Sequence, residues 1–113
     1  MTGTQGRAPV LSSLPAEQVA ALPLETLARS VAADLLAPGG GPPSIHNWVR
    51  RIRRDLRGDP EAMRAISEAV AWLRQRMILV DDLGVDAEGD WVVLSRQGAR
   101  WLRDGAFQHG TTG

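Results

Sequence analysis

Arginine is the residue whose type and spacing most directly suggest chemistry in this chain. Between residues 45 and 57 there are five arginines and one acid, Asp55, which gives this segment a net charge of plus four. The arginines are Arg50, Arg51, Arg53, Arg54 and Arg57. Guanidinium groups form charge-assisted, often bidentate hydrogen bonds with phosphate, and clustered arginines are typical of proteins that contact a nucleic-acid backbone. The segment is therefore a candidate phosphate-binding surface.

Residues 81 to 90 carry the opposite charge. This segment has five acids and no base: Asp81, Asp82, Asp86, Glu88 and Asp90. The whole chain has 13 basic and 13 acidic residues, so its formal net charge is zero. Because phosphate neutralisation drives nucleic-acid binding, a net charge of zero argues against a dedicated binder. The separated charges predict a molecule with a basic helix and an acidic loop.

Two alternatives to phosphate binding stay open for the basic segment. Its arginines can form an ordinary solvated helix face, paired with Asp55, Glu61 or the acidic loop of a neighbouring molecule, and such exposed pairs contribute about 0 to 1 kcal/mol each. The basic helix and the acidic loop can also bind each other between subunits, which would produce a homodimer or a longer assembly.

Few residues offer catalytic or metal-binding chemistry. The only histidines are His46 and His109, neither spaced with a serine or carboxylate as a triad or metal site requires, and cysteine is absent. The acidic loop lacks the glycine and the terminal glutamate of a twelve-residue calcium loop. We therefore expect no enzymatic activity, no cofactor and no metal site.

Four tryptophans could in principle stack on bases, but their spacing favours packing. Trp48 and Trp101 fall on or near predicted buried faces, and Trp91 opens a predicted strand. Trp72 lies at the edge of an apolar helix face, and we expect it to be the most exposed of the four.

The elements that must position these residues begin with a short helix predicted from Pro15 to Leu22. The next helix has apolar residues at spacings of three and four, as expected for one buried face. These residues are Leu24, Leu27, Ala28, Val31, Leu35 and Leu36. Glu25, Arg29 and Asp34 point elsewhere in this pattern. Residues 38–43, with the sequence PGGGPP, end the helix and form a loop.

Two further helices are predicted on either side of a short turn. Ser44 can cap the first of them, and Asp59 followed by Pro60 can begin the second. The predicted inward positions are Ile45, Trp48, Ile52 and Leu56 in the first helix and Met63, Ile66, Val70, Leu73 and Met77 in the second. Gly58 suits the left-handed residue that ends a helix. Two helices joined by about three residues that include glycine predict a helix-turn-helix.

The pattern then changes from helical to extended. Ile78–Val80 and Trp91–Leu94 predict two strands joined by the acidic loop, and Ser95 can cap a final helix that Gly105 would end. The predicted fold class is mostly α with a small two-stranded β wing. One domain is expected over residues 15–105, between flexible tails at 1–14 and 106–113. The chain lacks a secretory signal and a long apolar run, so a cytoplasmic protein with no membrane partner is expected.

The residues from Ile66 to Leu102 resemble the second half of bacterial winged-helix domains. The resemblance lies in four features: Leu73 at the end of an apolar helix, the strand Ile78–Val80, the strand Trp91–Leu94, and the LSRQG sequence of residues 94–98. Two segments, AVAWLRQRMIL and DWVVLSRQGARWL, are also similar to a small module found beside uncharacterised or abortive-infection-type bacterial proteins. The resemblance implies a winged helix-turn-helix fold and, most often, DNA binding.

Nucleic-acid binding, as a regulator or an accessory subunit, is accordingly the leading functional prediction. The five clustered arginines would contact phosphate, and Arg64, Ser67 and Gln75 on the following helix could reach bases. Two features depart from DNA-binding members of the family: the exposed face of that helix also carries Glu61 and Glu68, and the wing is acidic. These departures favour the competing prediction, a module that docks another protein, such as a toxin, a nuclease or a signalling subunit, or that associates with itself.

Overall fold

The structure is a computed structural model that describes residues 10–37, 44–84 and 91–104. Within these ranges it contains five α-helices and one two-stranded antiparallel sheet, which confirms a mostly helical fold with a small sheet. The helices are α1 (Ala16–Ala21), α2 (Leu24–Leu35), α3 (Ile45–Asp55), α4 (Pro60–Gln75) and α5 (Arg96–Asp104). The strands are β1 (Leu79–Asp81) and β2 (Val92–Leu94). None of the described helices combines the length and apolar character needed to cross a membrane.

The longest helix, α4, packs against α1, α2 and β1. Its buried face consists of Ala62, Ile66, Ala69 and Leu73, as the helical spacing predicts. The two alanines on this face are fully buried, and their small side chains allow neighbouring helices to approach closely. Opposite them, α2 buries Leu27, Ala28, Val31, Ala32 and Leu35. The core is therefore centred on the contact between α2 and α4.

A short turn that contains Gly58 joins α3 to α4, as the sequence predicts. Gly58 adopts a left-handed conformation with φ 69°, and its N–H donates to the Arg53 carbonyl at 2.9 Å. Arg57 is also left-handed, with φ 57°. The Asp59 carboxylate then accepts a hydrogen bond of 2.9 Å from the Ala62 N–H and caps α4. Two adjacent left-handed residues and a side-chain cap thus fix the angle between the helices.

The two strands pair in register, with Leu79 opposite Leu94 and Asp81 opposite Val92. Leu79 and Val92 are buried, so one face of the sheet packs into the core. An isolated antiparallel bridge joins Ser44, the cap of α3, to Trp91 beside β2. This bridge attaches the start of α3 to the sheet. The acidic residues Asp86, Glu88 and Asp90 lie outside the described residues, as do the loop at 38–43 and Gly105.

Backbone hydrogen bonds at Ile78 connect the end of α4 to the start of α5, beside the two strands. The Ile78 N–H donates to the Leu73 carbonyl at 2.9 Å, and the Ile78 carbonyl accepts from the Ser95 N–H at 2.9 Å. Ser95 caps α5, since its hydroxyl accepts from the Gly98 N–H at 2.8 Å. A Cβ atom at position 98 would lie 2.5 Å from the Ile78 carbonyl oxygen. Glycine is therefore required here by close approach of two backbones.

Some sequence predictions within these elements are wrong. Met77 is 59% exposed, because α4 ends at Gln75 and Met77 turns away with φ 59°. Leu24 is exposed at the first residue of α2, before the helix meets its neighbours. Trp72, expected to be the most exposed tryptophan, is half-buried with its ring 5.9 Å from the ring of Trp101, and it is more exposed than Trp48 and Trp101. Packing also extends beyond the predicted domain start at residue 15, because Leu11 belongs to the core.

Arg29 is the most consequential of these differences. The sequence places it away from the buried face of α2, but only 9% of it is exposed. Its guanidinium lies 4.4 Å from the Trp101 ring and donates to the carbonyls of Trp101 and Leu102 at 3.2 and 3.3 Å. Burial lowers the pKa of the Arg29 guanidinium, and the nearby Glu25 carboxylate opposes that shift. A guanidinium still remains charged at neutral pH, so α2 and α5 are held together by a buried cation.

Substitution of Gly98 by alanine should destabilise the protein by about 1–3 kcal/mol, because the new methyl group overpacks the Ile78 junction. Helix propensity alone predicts the opposite sign, a gain of about 1 kcal/mol. Urea unfolding measures the free energy. Gly58→Ala is the comparison: nothing lies near its Cβ position, so only the left-handed strain of about 1 kcal/mol is expected. Increased stability in Gly98→Ala would contradict the close contact.

Substitution of Arg29 by methionine, which removes the charge and the donors but keeps most of the volume, should cost about 1–3 kcal/mol of unfolding free energy. Arg29→Lys should also be destabilising, because an ammonium cannot stack on the indole and reach two carbonyls in the same way. Arg50→Met is the matched control on an exposed arginine and should stay within about 0.5 kcal/mol of wild type. Equal stabilities of the Arg29→Met and Arg50→Met variants would show that the buried cation contributes nothing.

Candidate nucleic-acid interface

The arginines of α3 share one exposed face, which we call the α3 arginine face: Arg50, Arg53, Arg54 and the adjoining Arg57. A helix turns by about 100° per residue, so Arg50, Arg53 and Arg54 fall within an arc of about 100°. Asp55 is exposed but lies on roughly the opposite side of the helix by the same geometry. None of the four arginines forms an ion pair with another described residue. The face therefore presents positive charge without an intervening acid.

Arg51 borders this face beside Arg50 and Arg54, but it differs from them in being paired. Its guanidinium makes a 2.8 Å ion pair with Asp34 on α2, where the two side chains are 42% and 16% exposed. The same carboxylate oxygen accepts a 2.7 Å hydrogen bond from the indole N–H of Trp48. The partner of Arg51 is thus neither Asp55 nor Glu61, which were the partners considered from the sequence. Asp34 links α3 to α2 and offsets the charge of Arg51, one of the five predicted phosphate ligands.

The opposite side of α3 is anchored in the core. Trp48, Ile52 and Leu56 are buried at helical spacing, as predicted, and Ile45 and Val49 pack beside them. At the start of α3, the Ser44 hydroxyl accepts from the Asn47 N–H at 3.3 Å. A helix anchored in this way presents its arginines from a rigid backbone, so less side-chain and backbone entropy is lost when an anion binds.

The exposed face of α4 carries the three residues predicted to reach bases. Arg64, Ser67 and Gln75 are all exposed on this face, and the Ser67 hydroxyl donates to the Met63 carbonyl at 2.9 Å. Glu61 and Glu68 lie on the same face, so its charges of opposite sign alternate. Near the end of α4, Arg74 pairs with Asp81 of β1 at 3.3 Å. The face is open but nearly neutral.

A second basic surface was not predicted from the sequence. Arg96 and Arg100 are exposed one turn apart on α5, and with Met77, Ser95 and Gln97 they line a shallow groove beside the end of α4. The signal was present, because arginines at positions i and i+4 on a helix share a face. They were overlooked because no dense cluster marks them in the sequence.

Metal binding finds no support among the described residues, where no group of three or more His, Cys, Asp or Glu is placed to hold an ion. His46 is exposed near the start of α3. His109 lies outside the described ranges. Comparisons with protein-family models, with curated proteins and with solved structures give no match. The geometry of the arginine surfaces therefore carries the functional argument alone.

Asp34 bonds to both Trp48 and Arg51, and substitutions can measure how much each of these two bonds contributes to stability. Asp34→Ala should cost about 1–3 kcal/mol of unfolding free energy, because the part-buried Trp48 N–H loses its acceptor. Asp34→Asn should cost less, since an amide oxygen can still accept from the indole. Arg51→Ala, which breaks only the part-exposed ion pair, should cost about 0 to 1 kcal/mol. Urea unfolding ranks the three variants, and an Arg51→Ala effect as large as that of Asp34→Ala would show that the ion pair is the stronger bond.

Proposed function

We propose that this protein binds double-stranded nucleic acid, most simply DNA, through the α3 arginine face. The observation that carries the proposal is a set of four exposed arginines, three on the core-anchored helix α3 and one just after it, with no acid on the same face. Each guanidinium that neutralises a phosphate releases condensed counterions, and this release favours binding. The protein would act as a regulator or as an accessory subunit that holds a partner on the nucleic acid.

The order of elements supports a winged helix-turn-helix as the finer description of the fold. A helix, a helix-turn-helix, a two-stranded hairpin and a closing helix follow one another in the chain. In that arrangement α4 would enter the major groove, where Arg64, Ser67 and Gln75 are the residues able to reach base edges. The acids Glu61 and Glu68 reduce the electrostatic attraction at this helix. Affinity would therefore depend on α3, and base preference on α4.

The proposal predicts how binding responds to salt. Four phosphate contacts give a slope of log affinity against log salt of about −3.6. The dissociation constant for a random-sequence duplex is expected in the micromolar range at low salt. Fluorescence anisotropy of a labelled random-sequence duplex, at about 50 to 200 mM salt, measures both quantities. Replacement of Arg50, Arg53 and Arg54 by glutamine should make this slope shallower by about 2.7.

The matched control for this triple variant is Arg74→Gln, an exposed arginine already paired with Asp81. This single substitution should change the slope by less than one unit, because even a lost phosphate contact would change it by only about 0.9. Both variants should unfold at the wild-type urea concentration. Unchanged slope and affinity in a folded triple variant would refute the assignment of the α3 arginine face to phosphate.

A specific observation favours a second candidate function, association with protein. Leu83, two residues after β1 and within the acidic segment 81–90, is 93% exposed, and Val93 on β2 is also exposed. An apolar side chain beside clustered acids is compatible with docking onto a basic protein surface, including that of a second copy. Sedimentation velocity at low and high salt tests self-association. A homodimer that dissociates at high salt, or when Leu83 is replaced by serine, would support this second function if the protein also fails to bind duplex.

A further inference from the structure

We propose that the groove between α5 and the end of α4, here called the α5 groove, is a second phosphate-binding site for the same duplex. This inference rests on the proposed function and deepens it, since it assigns a second contact at a distance from α3. The residues that would hold phosphate are Arg96 and Arg100. Neither forms an ion pair with another described residue.

The groove is built by the junction between α4 and α5. Gln97 donates from its side-chain amide to the Arg76 carbonyl at 3.1 Å, which ties the first turn of α5 to the end of α4. Gly98 allows that turn to lie against the Ile78 backbone. Met77 leaves the helix in a left-handed conformation and forms one wall. Arg96 and Arg100 project from a helix whose position is thus fixed at both contacts.

A third arginine, Arg76, lies where the end of α4 adjoins the groove. Arg76, whose carbonyl receives the Gln97 bond, places its guanidinium 4.9 Å from the Trp72 ring. Trp72 in turn contacts Trp101, which stacks on Arg29. This series of alternating arginine and tryptophan side chains restricts Arg76 without using an acid, because cation–π contact leaves the positive charge uncompensated. The surface therefore remains attractive to an anion.

The two basic surfaces lie near opposite ends of α4. Arg57 and Gly58 immediately precede the cap of α4, whereas the α5 groove adjoins Arg76 at its other end. The 16 residues of α4 span about 24 Å at 1.5 Å per residue. Along one strand of a duplex, with a phosphate about every 3.4 Å of axis, this length corresponds to roughly 7 base pairs. A ligand that occupies both surfaces must therefore carry charge over that length.

A duplex meets this requirement better than a second copy of the chain does. Double-stranded DNA carries one negative charge about every 1.7 Å along its axis. The acidic segment of a second copy supplies five acids within residues 81–90, of which Asp81 already pairs with Arg74. That segment can neutralise one of the two basic surfaces but has too few charges for both. Charge complementarity therefore favours the nucleic-acid backbone.

The test is a double variant, Arg96→Gln with Arg100→Gln, measured beside the α3 triple variant by anisotropy. With both surfaces engaged, six phosphate contacts give a wild-type slope of about −5.4, and the double variant should return it to about −3.6. Arg74→Gln, at the same end of α4, is the control for a nonspecific loss of charge. A second measurement uses wild type alone: a hairpin duplex of about 6 base pairs should give a shallower slope than one of about 16, since only the longer one spans both surfaces.

The outcomes separate this inference from the proposed function. A reduced slope in the double variant, together with a shallower wild-type slope on the shorter duplex, supports the second site. The other outcome is a reduced slope in the α3 triple variant, with a wild-type slope in the folded double variant and equal wild-type slopes on both duplexes. In that case the α5 groove is not a phosphate site and the proposed function stands. Absence of wild-type binding overturns both. A wild-type dimer in sedimentation velocity that the double variant dissociates, with duplex binding unchanged, assigns the groove to a second copy and overturns the inference.

Discussion

The structure depends on burial of one face of α4. Ala62 and Ala69 allow α1 and α2 to pack closely against this helix, and Ile66 and Leu73 fill the space between them. Burial of a large aliphatic side chain contributes about 1.5–3 kcal/mol, so Ile66 and Leu73 each stabilise the core by about that amount. Because the buried face is fixed, the opposite face of α4 must be exposed, with one basic surface near each end.

Charge in this protein is organised by which arginines are paired. Arg51 pairs with Asp34 of α2, and Arg74 pairs with Asp81. The Arg29 guanidinium contacts the Trp101 ring and donates to two carbonyls near the end of α5. These arginines support the fold. Arg50, Arg53 and Arg54 on α3, Arg57 just after it, and Arg96 and Arg100 on α5 form no ion pair with another described residue, and this distinction identifies the two basic surfaces. Sequence composition alone treats all 13 arginines as equivalent.

Most of the helical framework could be predicted from the sequence because it depends on local physics. The three-and-four spacing of Trp48, Ile52 and Leu56 specifies a buried face, and Asp59, Gly58 and Ser95 act within a few residues of their own position. Arg29 could not be predicted, because its partner Trp101 lies 72 residues away and a charged residue on a helix is usually exposed. The α5 groove also depends on the contact between α4 and α5, although the spacing of Arg96 and Arg100 by one helical turn is a local signal.

Net charge is a weak guide to what this surface binds. At physiological salt, exposed charges separated by more than about 8 Å are largely screened, so a phosphate responds to the few guanidiniums nearest to it. A formal charge of zero is then compatible with strong local attraction at α3 and with near neutrality along the exposed face of α4. Such a distribution would place electrostatic affinity at the ends of α4 and leave hydrogen bonding to act between them. Under the proposed function, discrimination among sequences would come from Arg64, Ser67 and Gln75, because side-chain contacts with base edges differ between base pairs whereas phosphate contacts do not.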